Sequence, residues 1–332
     1  MLIKVVLLGV IALMSLISTR LFIKYAITKQ MYDLPNARSS HKITTPRGGG
    51  VGFVLVFLIA LISAIKFAMV EFTGQNFLLL ALLIVAGIGF FDDKYNLSAK
   101  RRITWQLIAA SIATFSLRDC LNYIYLIDVL IVIYMVWMLN LYNFMDGIDG
   151  LASIEAISCS FLASLIFYII GHPELSIIPL LLGFAMFGFF YWNFPKAKIF
   201  MGDVGSGFLG FIFAILSIQA LAVSMQLFCC WMVLLGVFIV DASLTLFIRL
   251  FKRENICEAH CNHAYQHAAK IYKSHIPVTV SALIINLAWL GPVAFLIGLN
   301  YVNGFIGILI SYIPLLILAY YFKAGRNLPN DN

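Results

Sequence analysis

Charge is what this 332-residue sequence has least of: Asp, Glu, Lys and Arg make up 11%, against 62% hydrophobic residues. Soluble domains carry about 25% charged and about 45–50% apolar residues. The shortfall excludes a water-soluble globule with a charged surface. Long polar stretches are also missing, so no segment is left over for a soluble domain, and residues 1–332 read as one integral-membrane domain. The six cysteines lie partly inside apolar runs, which excludes a secreted disulfide framework. No small-residue cleavage site follows the long apolar stretch 2–19, which therefore reads as a first span rather than a signal peptide.

What is present is apolar length. Runs fall at about 2–21, 50–71, 76–91, 104–118, 124–142, 150–170, 175–192, 205–226, 228–248, 277–299 and 303–322. A spanning helix needs about 20 apolar residues, and backbone polar groups in lipid must be satisfied within the segment. The expected fold is all-α: a polytopic bundle of about eleven transmembrane helices with polar loops at one face.

The basic residues orient it. With the 28–49 loop placed in the cytoplasm, alternation puts 19 of the 22 Lys and Arg residues inside, leaving Lys4, Lys66 and Arg118 outside. This positive-inside bias predicts an inner-membrane protein with its N-terminus outside and its C-terminus cytoplasmic. It also accounts for the net charge of +7 through membrane lipid headgroups rather than nucleic acid. The acidic motifs, which played no part in that assignment, fall on the same cytoplasmic side.

Five segments carry chemistry. Phe90-Phe91-Asp92-Asp93-Lys94 ends one span, and two adjacent carboxylates at a membrane boundary need a cation or basic neighbours. The bland alternative is a solvated helix end. Next, Asn140, Asn143 and Asp146 recur every third residue on one helical face until Gly147, Asp149 and Gly150 bend the chain; Glu155 continues the polar series. Asn and Asp oxygens suit Mg²⁺, and Mn²⁺ can substitute for it. Asn193 opens a third segment, in which Lys196, Lys198, Phe200, Gly202 and Asp203 form a glycine-rich turn before a span, suited to a metal–phosphate site. Helix packing by glycine is the alternative there.

The fourth segment, Arg253 to His267, holds Cys257, His260, Cys261 and His263. Their spacing is too compressed for a zinc knuckle, so the histidines read as phosphate-facing. The fifth holds Arg38, His41, Lys42 and Arg47 before three glycines, a basic loop able to grip an anionic headgroup or nucleotide, and so a phosphate- or sugar-binding candidate, or to serve merely as an inside loop. Asp128 and Asp241 lie nearer span interiors and read as structural hydrogen-bonding groups.

In this order the segments resemble the polyprenyl-phosphate N-acetylhexosamine-1-phosphate transferase superfamily, of glycosyltransferase family 4 type. Asn143-Phe-Met-Asp-Gly-Ile-Asp-Gly-Leu-Ala152 and Phe200-Met-Gly-Asp-Val-Gly-Ser206 carry the resemblance most specifically. The basic loop is most similar to the branch that starts O-antigen-type heteropolysaccharides. The resemblance implies an Mg²⁺-dependent transfer of sugar 1-phosphate from a UDP-amino sugar to undecaprenyl phosphate. It implies that Asp92 and Asp93 act on the lipid phosphate, with Asp146 a further catalytic candidate. Asn143 and Asp203 would bind the metal. Gly147, Ile148, Asp149 and Phe200 would line the uridine pocket, with Asn140 and Asn193 as further nucleotide candidates. His260 and His263 would lie near the diphosphate.

Two positions depart from the family pattern: Asn96 stands where a third Asp is common, and Cys261 follows His260 where a basic residue is usual. The competing class is a lipid-linked sugar flippase or ion-coupled transporter, which would place ionisable groups near the bilayer midplane and show internal repeats. The acids instead crowd one boundary, and no repeat is evident. Oligomeric state is not readable from the sequence; a homodimer is compatible with it.

Overall fold

The computed structural model describes residues 2–34, 43–70, 74–118, 126–254 and 261–326. The helices, in order, are α1 (Leu2–Thr28), α2 (Gly50–Lys66), α3 (Gln75–Tyr95), α4 (Ala99–Leu117), α5 (Leu126–Phe144), α6 (Leu151–Ile169), α7 (Pro173–Asn193), α8 (Asp203–Val223), α9 (Met225–Leu234), α10 (Gly236–Phe251), α11 (Ala264–Tyr272), α12 (Ile276–Ile285), α13 (Gly291–Gly298) and α14 (Gly304–Tyr321). A π-helical turn, Asn286–Leu290, joins α12 to α13, just before Pro292, whose missing N–H cannot continue a regular ladder. The described strands β1 (Tyr32–Asp33) and β2 (Thr45–Pro46) make one antiparallel pair, with Tyr32 opposite Pro46.

Within the described residues, each of the eleven apolar runs falls mainly on helix, so the all-α polytopic expectation holds. The number of spans is less direct. Among the described residues, eight helices are long and apolar enough to cross a bilayer, and nine if α9 and α10, bent by 76°, count as one broken span. The other two runs fall on α2, with 17 residues, and on α4, whose first turn carries Lys100, Arg101 and Arg102. At 1.5 Å per residue, α2 reaches only about 25 Å, short of a hydrocarbon core of about 30 Å.

The bundle is organised around α8, in which every residue from Val204 to Ala220 is buried. Helices α2, α3 and α5 pack against it, α4 packs on α3 and α5, and α1, α6 and α7 form an adjoining layer. Apolar side chains on the outer helices point away from this core, as Leu309 and Ile317 of α14 do, giving a lipid-compatible surface. Three acidic residues within the bundle have polar partners. Asp128 forms an ion pair with Arg118. Asp241 accepts the Ala264 and Tyr265 N–H groups, both at 2.9 Å, and so caps α11. Glu155 accepts from Asn286 Nδ2 at 2.7 Å, tying α6 to the π turn. All three serve the scaffold.

Candidate active site

The acidic motifs converge because the ends of α3, α5 and the start of α8 meet at one end of the bundle. The closest tie is Asp93. Its Oδ1 accepts the Asp203 N–H at 3.0 Å and its Oδ2 accepts the Val204 N–H at 3.1 Å. A carboxylate from α3 thereby caps α8 across 110 residues, satisfying N–H groups that a helix start leaves unpaired. Gly202 makes this possible: it has φ +74°, and a Cβ there would run into the Asp93 carboxylate.

Asp92 is held differently. Its Oδ1 accepts the Leu97 N–H at 2.6 Å, and its Oδ2 lies 2.9 Å from Arg102 Nη1. The same Nη1 reaches Asp203 Oδ2 at 3.2 Å. Arg102 of α4 thus bridges the Asp-rich motif and the glycine-turn aspartate. Asn96, in the left-handed region at φ +49°, accepts from Arg47 Nη2 at 2.6 Å. The residue that departs from the family pattern therefore anchors the basic loop, and an amide oxygen suffices for that bond.

Backbone bonds weld the neighbouring loops. Phe200 N–H donates to Pro46 O at 2.8 Å, Gly49 N–H to Phe200 O at 2.9 Å and Gly50 N–H to Met201 O at 2.8 Å. Asn193 adds a clamp. Its Oδ1 accepts from the Gly150 N–H at 3.2 Å and Ser153 Oγ at 2.8 Å, while its Nδ2 donates to Ile199 O at 3.1 Å. Gly150 itself sits at φ +75° against the Phe194 ring, where any side chain would collide.

These loops enclose a cavity of about 210 Å³. Its wall includes Arg47, Asp93, Asn143, Asp146, Gly147, Ile148, Asp149, Asn193, Phe200 and Asp203, all singled out from the sequence. It also includes Asp33, Gln266 and His275, which were not. A smaller cavity of about 20 Å³ shares Asn143 and Asp203 with it and is also lined by Asp92, Arg102 and Gln106. Asn143 and Asp203 thus line both. Burial, then the neighbouring Asp93 and Asp149 carboxylates, push the Asp146 carboxyl well above the usual carboxylate range.

Two described candidates line neither of these cavities. Asn140 exchanges amide bonds with Gln106, at 2.8 and 3.4 Å, across the α4–α5 contact. Its place on the Asn143 face is that of a helix-packing group. His263 is buried, stacks between Phe144 and Tyr265, and begins α11, with Nδ1 3.4 Å from Asp241 Oδ1. Arg38, His41 and His260 lie outside the described residues. Arg102 and His275 were missed because each was only a basic residue at a helix start, with no nearby motif to mark it.

Among the described residues, no three His, Cys, Asp or Glu side chains are grouped to hold a metal by themselves. Mg²⁺ does not need such a cage: it keeps waters and takes one or two carboxylates plus substrate phosphates. Asn143 and Asp203 offer hard oxygens at a shared wall, and the crowd of Asp92, Asp93, Asp146 and Asp203 gains from any added cation. The residues present fit the ion.

An acid cluster, a glycine turn at a helix start and an arginine bridge, set at one end of an apolar helix bundle, are features of an integral-membrane protein suited to phosphate-bearing ligands. Residues 76–221 match the glycosyl transferase family 4 description. The chain is 29% identical over 301 residues to a probable undecaprenyl-phosphate N-acetylglucosaminyl 1-phosphate transferase of Bacillus subtilis, covering 86% of this chain and 82% of that one. It is 30% identical over 213 residues to the decaprenyl-phosphate N-acetylglucosaminephosphotransferase of Mycobacterium tuberculosis, covering 56% and 52%. It is 31% identical over 239 residues to the phospho-N-acetylmuramoyl-pentapeptide-transferase of Streptococcus agalactiae, covering 63% and 71%. The chain belongs to the polyprenyl-phosphate hexosamine-1-phosphate transferase superfamily.

Proposed function

We propose that the protein transfers the sugar 1-phosphate of a UDP-activated N-acetylamino sugar to undecaprenyl phosphate, releasing UMP, as the first membrane step of an O-antigen-type polysaccharide. The observation that carries this reading is the pair of cavities meeting at Asn143 and Asp203. The larger one, with Phe200, Asp149 and Gly147, suits a nucleotide whose base stacks on an aromatic ring. The smaller one, with Asp92 and Arg102, faces α3 and α4, where a lipid phosphate would arrive.

Charge neutralisation is the main chemical task, because two anions must meet. Asn143 and Asp203 would hold Mg²⁺, which when bound would supply positive charge against the diphosphate. Arg102, placed between Asp92 and Asp203, supplies a second positive charge on the acceptor side. Asp92 keeps that guanidinium aimed. Asp93 holds the first turn of α8, and with it Asp203, in place. No general base is required: a phosphate monoester has its second pKa near about 6 and is mostly ionised at neutral pH.

The working end faces the cytoplasm of the inner membrane in this reading. Counting α2 and α4 as short or tilted spans and α9–α10 as one broken span gives eleven crossings, with the N-terminus outside. A donor panel tests the activity. Purified protein in detergent with Mg²⁺, undecaprenyl phosphate and radiolabelled UDP-amino sugars should yield a lipid-soluble product with one donor and stoichiometric UMP. No lipid product from any UDP-amino sugar would overturn the reading.

A further inference from the structure

His275 stands immediately before α12, on the wall of the larger cavity, and none of the roles above uses it. Its Nδ1 accepts the Asp149 backbone N–H at 3.2 Å. The same nitrogen is 3.4 Å from Asp149 Oδ2. A backbone N–H can only donate, so in this bond Nδ1 is the acceptor. A neutral imidazole that accepts at Nδ1 carries its proton on Nε2. One turn further on, Thr279 Oγ1 donates to Asp149 O at 2.9 Å. The start of α12 therefore grips the Asp149 peptide by both its N–H and its C=O.

The consequence is a donor with a fixed tautomer. The His275 side chain is 19% exposed, and no described residue bonds its Nε2. An N–H donor and the Asp149 carboxylate, an acceptor, stand side by side on one wall. Their complement is an amide edge, with an N–H for Asp149 and a C=O for His275. Resting on the nucleotide-sugar reading, we propose that His275 and Asp149 together read an amide edge of the donor substrate. Two groups of a UDP-N-acetylamino sugar carry that chemistry: the imide edge of the base and the acetamido group of the sugar.

Equilibrium binding to the full-length protein in detergent tests this, with UMP, 3-methyluridine monophosphate, UDP-glucose and UDP-N-acetylglucosamine as probes. Wild type, His275→Ala, His275→Gln and Thr279→Val are compared. Gln supplies an acceptor for the Asp149 N–H and a donor for the ligand. Thr279→Val removes one grip on Asp149 without touching the cavity wall.

Losing one neutral hydrogen bond to the ligand should raise the Kd of His275→Ala about tenfold, and His275→Gln should recover most of it. If the base is read, UMP and both UDP-sugars weaken together, and 3-methyluridine monophosphate binds wild type poorly. If the acetamido group is read, only UDP-N-acetylglucosamine weakens. Either pattern supports the proposal. Unchanged affinities in His275→Ala overturn it, as does equal weakening of the same ligands by Thr279→Val, which would make the ring only a prop. A wild type that binds none of the four probes overturns the nucleotide-sugar reading and this inference with it.

Discussion

Both carboxylate oxygens of Asp93 are taken by the first two N–H groups of α8, at 3.0 Å to Asp203 and 3.1 Å to Val204. Asp93 is therefore a positioning residue, and Asp203 is what it positions. Asp93→Ala should destabilise the protein by about 1–2 kcal/mol, the usual range for losing a helix cap. It should also abolish most transfer. Thermal unfolding in detergent separates the two adjacent acids. Asp93→Ala should melt well below wild type, and Asp92→Ala should melt closer to it, because Asp92 caps no helix across the bundle. Equal melting points would show that the α8 cap carries no weight.

Arg102 joins Asp92 and Asp203 from one nitrogen, and nothing else described on α4 does so. Its side chain is 38% exposed, so solvent screens part of the attraction. Stability should change little in Arg102→Ala. Activity should fall by roughly tenfold to a hundredfold, the loss of about 1.4–2.7 kcal/mol in the transition state. Arg102→Lys keeps the charge without the planar fork and should sit between the two. Steady-state rates with saturating donor check the order wild type, Lys, Ala.

Much of this was legible in advance, and the failures have physical causes. Asn143, Asp146, Asp149 and Asp203 could be read from spacing because glycine turns beside apolar runs mark where the backbone leaves a helix. Asn140 shared the periodicity of Asn143, yet faces Gln106 on α4. Periodicity fixes a helix face but not which neighbour covers it. His263 looked like a phosphate ligand from its motif, but α11 turns its ring in against Phe144 and Asp241. The span count was least legible. Apolar runs gave the helices, and the shortness of the 104–118 run already showed in the sequence, while the short α2 and the 76° bend of α9–α10 are properties of length and path that hydropathy does not encode.

Asn143 and Asp203 line both cavities, so their substitution should appear first in the metal dependence. Asn143→Ala should raise the Mg²⁺ concentration for half-maximal activity about tenfold, the low end for a weakened metal site. Asp203→Asn should leave almost no activity at any Mg²⁺ concentration. Chelation should stop transfer by wild type, and Mg²⁺ or Mn²⁺ should restore it. A titration showing wild-type Mg²⁺ dependence in both variants would place the ion elsewhere.

Asp92 already accepts from Leu97 N–H and from Arg102, which leaves it poorly placed to take a proton from a substrate. The acceptor phosphate loses its own second proton near about pH 6. Below that pH the rate should fall in wild type and in Asp92→Asn alike, because protonation weakens the nucleophile itself. Above it, the two profiles should run parallel, with Asp92→Asn lower by a constant factor that reflects a misaimed Arg102. Rates measured from pH 5.5 to 9 in Mg²⁺ decide the matter. If Asp92→Asn is inactive at pH 7 and recovers as the pH rises, Asp92 is a general base and its grip on Arg102 is secondary.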